Sequence, residues 1–142
     1  MTLLDAYALV ALLADEPAAD DVESLLRAGD CGIVNFNLAE AIDVTQRVHH
    51  LSPDEVRALV EPLLGGVLTL VMPAETHTWR AAEIRVRHYD RRTRPLSLAD
   101  CFLLAAATVD DRIATADPPL AQTARDEDVR LIGLPDRAGR TP

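Results

Sequence analysis

Apolar positions fall into short runs, separated by longer stretches in which apolar and polar residues recur with helical spacing. Runs at 2–4, 31–34, 67–71, 112–115 and 129–132 read as five strands, the third β-branched and buried in character. Helices are predicted over 6–14, 17–28, 37–50, 53–64, 76–89, 97–109 and 118–125. The punctuation agrees: Gly29 stops the second helix, and Gly65-Gly66 stops the fourth. Ser52-Pro53-Asp54-Glu55 is a strong helix start, with Ser52 as N-cap, Pro53 in the first turn and Glu55 closing a capping box. In the 76–89 helix, Trp79, Ala82, Val86 and Tyr89 share one face. The 97–109 helix is almost wholly apolar, which predicts a central, buried position. Strands alternating with helices imply an α/β fold, a parallel sheet with helices on its faces. The pattern gives one domain over 1–134 and a tail from 135 to 142, rich in Gly, Arg and Pro, that is expected to be loose.

Composition narrows the class. A chain of 142 residues that is 49% hydrophobic suits one folded domain. No uninterrupted apolar run approaches the roughly 18 residues of a membrane span. Met1-Thr2-Leu3-Leu4-Asp5 lacks the basic region of a signal peptide, so the cytoplasm is the expected location. Cys31 and Cys101 form no CxxC pair and no zinc-finger spacing, and read as buried thiols. His49, His50 and His77 have no partner at ligand spacing and read as surface residues. Every basic residue other than histidine is arginine. Without lysine, neither a P-loop nor a phosphoryl-aspartate enzyme can be built.

Four acids share a structural address. Asp5 follows the first strand, Glu40 lies in the first turn of the helix after the second, Asp100 opens the apolar helix, and Asp117 follows the fourth strand. In a parallel sheet the carboxyl ends of the strands lie on one edge, where such folds place ligands. Each acid also has a local explanation. Asp5 and Asp117 suit N-caps, and Asn37-x-x-Glu40 and Ser97-x-x-Asp100 suit capping boxes. Gathered together they need more than caps. Two carboxylates ~6 Å apart repel by about 3 kcal/mol at an effective dielectric of about 20. A helix N-terminus returns only about 0.3–1 kcal/mol. Four acids at one rim therefore call for a cation, and an all-oxygen set without His or Cys suits Mg²⁺ or Mn²⁺.

LLDAYALVALL at 3–13, NLAEA at 37–41, LSLADCFLLAAA at 96–107 and ATADPPLA at 114–121 closely resemble the motifs of PIN-domain ribonucleases of the VapC toxin family, in order and in spacing. The resemblance covers about residues 1–134. It implies a three-layer α/β/α fold around a central, mostly parallel five-stranded sheet. It also implies that Asp5, Glu40, Asp100 and Asp117 are the catalytic, metal-binding acids. The implied activity is endoribonuclease cleavage leaving a 5′-phosphate and a 3′-hydroxyl, restrained by a VapB-type antitoxin, in a homodimer. Thr115 matches the family's hydroxyl position before the last acid, where it could touch a phosphate or a metal-bound water. Ala6 stands where many relatives carry Thr or Ser, and Pro119 where some carry a further acid. A second metal is accordingly expected to bind weakly, or only with substrate.

A net charge of −9 sits awkwardly with a polyanionic substrate, but its distribution is uneven. Segment 80–94 holds six arginines (Arg80, Arg85, Arg87, Arg91, Arg92, Arg94) against Glu83 and Asp90. Arg80, Arg87 and Arg91 are placed on one helical stripe, with Arg85, His88 and Arg92 on another. Arg87, Arg91 and Arg92 are the candidate grips on RNA phosphates, since arginine holds phosphate bidentately. An antitoxin could use the same side chains. The competing readings are a PIN-fold RNA- or protein-binding module without catalysis and a metal-dependent DNA nuclease of similar fold. Retention of all four acids opposes the first, and the size of the chain the second.

Overall fold

The computed structural model describes all residues, Met1–Pro142. Five strands, β1 (Thr2–Leu4), β2 (Cys31–Val34), β3 (Leu68–Val71), β4 (Arg112–Thr115) and β5 (Arg130–Gly133), form one sheet in the order β3-β2-β1-β4-β5. All four pairings are parallel. Seven helices connect them: α1 (Ala6–Leu13), α2 (Ala19–Ala28), α3 (Asn35–Arg47), α4 (Pro53–Leu64), α5 (Glu75–His88), α6 (Leu98–Ala106) and α7 (Pro118–Asp126).

The pleat sends successive side chains to opposite faces. Leu4, Ile33 and Ala114 enter a core with Leu9, Val22, Leu38 and Val60, from the helices α1 to α4. Leu3, Val34 and Ile113 enter a second core with Ile84, Leu103, Leu104 and Leu120, from α5 to α7. The result is a three-layer α/β/α sandwich with β1 in the middle of the sheet. Cys31 and Cys101 are free and buried.

Four expectations change. The helix after β2 starts at Asn35, directly behind Val34 and without a side-chain cap. Glu40 therefore sits in its second turn, and Asn37 is no cap. The third strand is an edge strand with mostly exposed side chains, because only β2 borders it. The Trp79, Ala82, Val86, Tyr89 face of α5 points outward, with Trp79 68% and Val86 89% exposed. Ala81 and Ile84 face the core instead, joined on the same stripe by Arg85 and His88, whose polar ends find partners. The apolar helix α6 is buried as expected but ends at Ala106, leaving Val109 exposed.

Residues 135–142 form no helix or strand, yet they are tied to the domain. The Tyr7 hydroxyl donates to the Pro135 carbonyl (3.1 Å), and Arg137 pairs with Glu16 (2.6 Å). His49 approaches the same Glu16 carboxylate at 3.2 Å, so this histidine has a partner that spacing did not reveal.

Candidate active site

Because all strands are parallel, their carboxyl ends share one edge. β1 lies between β2 and β4, so the chain leaves the sheet at three neighbouring points there. Asp5 leaves from β1 as the N-cap of α1, and its Oδ1 accepts from the Ala8 N–H at 2.6 Å. Asp117 leaves from β4 as the N-cap of α7, and its Oδ2 accepts from the Leu120 N–H at 2.9 Å. Asp100 reaches the rim from α6. Its Oδ2 accepts from the Ser97 N–H at 2.7 Å, while its own N–H donates to the Ser97 Oγ at 3.0 Å. Glu40 comes from α3, which packs on both α1 and α6. Asp5 and Asp117 are thus N-caps and Asp100 closes the capping box of Ser97, as local sequence reasoning held. The same local contacts bring them to one edge of the sheet.

Burial and mutual charge set the electrostatics. Asp5 is only 3% exposed. Burial pushes its carboxyl up to about 7, the Thr115 hydroxyl and Ala8 N–H oppose this, and the charges of Asp100 and Asp117 add to it. Burial likewise pushes Asp100 up to about 6, against its bonds to Ser97, with Glu40 and Asp117 raising it further. Glu40 is raised by burial and by Asp43 and Asp117, against a hydrogen bond from Ser97. Asp117 is raised by burial, against the Leu120 N–H. Asp5, Glu40, Asp100 and Asp117 therefore form one coupled group.

Some polar atoms at this rim have no partner. Glu40 Oε2, Asn35 Oδ1 and both amide atoms of Asn37 are buried without a hydrogen bond. Such atoms ordinarily find one, in protein, water or ion. A divalent cation fits the all-oxygen donor set, the raised carboxyls and the orphaned Glu40 oxygen. The fit is not ready-made, since no three acidic, histidine or cysteine side chains already converge closely enough to hold an ion.

Thr115, the candidate phosphate contact, is fully buried. Its Oγ1 accepts from the Asp117 N–H at 2.9 Å, and its hydroxyl favours the ionised form of Asp5. It braces two acids rather than facing solvent. Sequence reasoning missed this, together with the unpaired amides of Asn35 and Asn37. Polar residues inside an otherwise apolar packing layer were the available signal.

The arginine segment divides. α5 ends at His88, so Arg91 and Arg92 lie in the turn beyond it and not on helical stripes. Arg87 is paired with Glu127 (3.1 Å), and Arg94 with Asp126 (2.6 Å). Arg85 donates to the Leu96 carbonyl and lies over the Tyr89 ring. Arg91 and Arg92 are exposed, with no acid on their guanidinium groups. Arg94 and Arg125 line a polar cavity of about 300 Å³ with Pro118 and Pro119, which places this turn beside the helix that Asp117 caps.

The chain matches the family model described as PIN domain over residues 2–126. A comparison with curated proteins gives no match. Among solved structures, FitAcB from Neisseria gonorrhoeae is similar at 20% identity and a TM-score of 0.64, covering 93% of this chain and 96% of that one. VapBC2 from Rickettsia felis, bound to a DNA fragment from their promoter, is similar at 14% identity and a TM-score of 0.64, covering 92% and 96%. FitAB bound to IR36 DNA is similar at 19% identity and a TM-score of 0.64, covering 93% and 94%. At these identities the likeness is one of fold.

Proposed function

The chain belongs to the PIN domain family, and we propose that it is an endoribonuclease dependent on Mg²⁺ or Mn²⁺, the toxin of a toxin–antitoxin pair. One observation carries the reading. Four acids from four separate elements lie toward the carboxyl edge of the sheet, and each has its pKa raised. Keeping four ionisable groups in such a place costs stability unless a cation uses them.

Asp5, Asp100 and Asp117 would hold the ion, with Glu40 completing the site directly or through water. Such an ion supplies a water acidified towards neutrality and positive charge against the phosphate. The remaining work falls to the chain. The Ala8, Ser97 and Leu120 N–H groups fix the carboxylates from behind. Thr115 keeps Asp5 and Asp117 in register. No side-chain nucleophile is needed. Arg91 and Arg92, free of acids, are the best-placed grips on a strand leaving the rim, and Arg87 is a weaker one because Glu127 already holds it.

The similarity to VapBC2 and FitAB supports an antitoxin partner. An apolar cleft of about 330 Å³ between α1, α2 and α4, lined by Leu12, Leu13, Leu26, Leu59 and Leu63, suits an apolar segment of a VapB-type antitoxin. The outward face of α5, with Trp79 and Val86, suits a second copy of the chain in a homodimer.

The test is cleavage of single-stranded RNA by the purified chain with Mg²⁺, Mn²⁺ or EDTA. Cleavage should require the metal, and Asp100→Asn should lower it at least a hundredfold while the circular dichroism spectrum stays unchanged. RNA bound equally with and without metal and never cut would instead make the chain a binding module.

A further inference from the structure

Aromatic residues are scarce in this chain, with one Trp, two Tyr and two Phe. Both phenylalanines lie together at the acid rim. Phe36, on α3, stacks on Phe102, on α6, with centroids 4.2 Å apart and an interplanar angle of 23°. Phe36 stays 42% exposed, and Leu98, at the start of α6, stays 57% exposed. Phe36 precedes Glu40 by four residues, so the two share a face of α3 about one turn, ~5.4 Å, apart. Phe102 and Leu98 stand two residues after and two before Asp100.

We propose that Phe36, backed by Phe102, is a stacking platform for one unpaired base of the RNA strand, next to the phosphodiester held at the acids. The proposal rests on the nuclease reading and adds to it the recognition of substrate. A ring with one face packed on a second ring and the rest open offers what a nucleobase needs, a flat apolar surface at fixed height. Unpaired bases can be splayed onto such a surface, whereas a duplex keeps its bases stacked on each other. The substrate is therefore single-stranded at the cleavage point.

The surroundings favour a base over a second protein chain. The core of a protein interface is depleted of charge. This aromatic pair is small, and Glu40 lies one helical turn from Phe36 on α3, while the broader apolar face lies on α5. Arg91 and Arg92 would serve phosphates further along the same strand.

The experiment measures binding of a short single-stranded RNA carrying 2-aminopurine, in the Asp100→Asn background, with Phe36→Ala, Phe36→Leu and Phe36→Tyr added. Stacking predicts quenched fluorescence for Phe and Tyr. It predicts about ten- to hundredfold weaker binding for Ala and Leu. Walking an abasic nucleotide along the RNA should reveal one position at which the Phe36→Ala loss disappears. Equal affinity for all four side chains, or no such position, overturns the platform. So does a loss of dimer in Phe36→Ala, by sedimentation, with unchanged RNA binding per protomer, which assigns the patch to a second copy. Because the ring is partly exposed, the Leu variant should fold, and a thermal melt checks it. RNA cut by the wild type but bound equally by every variant removes the platform and leaves the nuclease. RNA bound through Phe36 but cut under no metal condition removes the nuclease and leaves the platform.

Discussion

Asp5 and Asp100 each do two jobs that pull against each other. As helix caps they accept backbone N–H groups, which favours the ionised form. As buried neighbours they are pushed up to about 7 and about 6, well above the ordinary 3.8. The second effect wins, so the folded, metal-free protein takes up protons that the unfolded chain takes up only near 3.8. The stabilisation from these protons is complete below the unfolded pKa and is lost as the pH rises through about 6 and 7. In EDTA the Tm should therefore climb as the pH falls from about 8 to about 5.5. Mg²⁺ should raise the Tm at pH 8 and much less at pH 5.5. Asp100→Asn should flatten the metal-free profile, with a Tm at pH 8 at least equal to wild type. A metal-free Tm that drops steadily over the same interval, and drops equally in Asp100→Asn, would remove the repulsive cluster from the account.

At the scale of elements, two identical devices have different consequences. Ser52 and Ser97 each close a capping box, on α4 and α6. Ser52 is on the solvated side, away from the acids, whereas Ser97 holds Asp100 and reaches Glu40. Replacing either by Ala should cost about 1 kcal/mol in chemical denaturation. Only Ser97→Ala should also slow RNA cleavage, and equal rates for both variants would reduce Ser97 to a cap. Both boxes were legible in the sequence because capping is local. The β1, β2 and β4 strands, and hence the addresses of Asp5 and Asp117, were legible for the same reason. The start of α3 was not, because Val34 caps it without a side-chain signal and Asn37 offered a false one. The outward turn of α5 was hidden too. Its inward stripe carries Arg85 and His88, whose partners, the Leu96 carbonyl and Glu127, are tertiary and invisible to periodicity. The packing of Phe36 on Phe102 joins residues 66 positions apart and belongs to that same class.

For the whole molecule, the proposed nuclease reading raises the question of how a chain of charge −9 would hold a polyanion. Much of the positive charge in 80–94 is already spent, on Asp126, on Glu127 and on a backbone carbonyl. On that reading, the remaining attraction would come from a cation held at the rim and from Arg91 and Arg92. Charge neutralised at the rim leaves the turn beside α7 as the dominant local field. RNA affinity should then depend on Mg²⁺ or Mn²⁺ even in a slow variant such as Glu40→Gln. Arg91→Ala and Arg92→Ala should each weaken binding and lower the slope of log affinity against log salt, by roughly 0.7 for each phosphate no longer neutralised. Arg87→Ala should do less, since its guanidinium is shared with Glu127. Arg27→Ala and Arg57→Ala should leave the slope unchanged, because these side chains pair with Glu23 and Glu61 on helices α2 and α4, in the opposite layer. A salt titration of each variant, with metal and with EDTA, separates these outcomes. A wild-type slope in both Arg91→Ala and Arg92→Ala would free the turn for an antitoxin and leave the cation and the aromatic pair as the only features on this surface able to hold RNA.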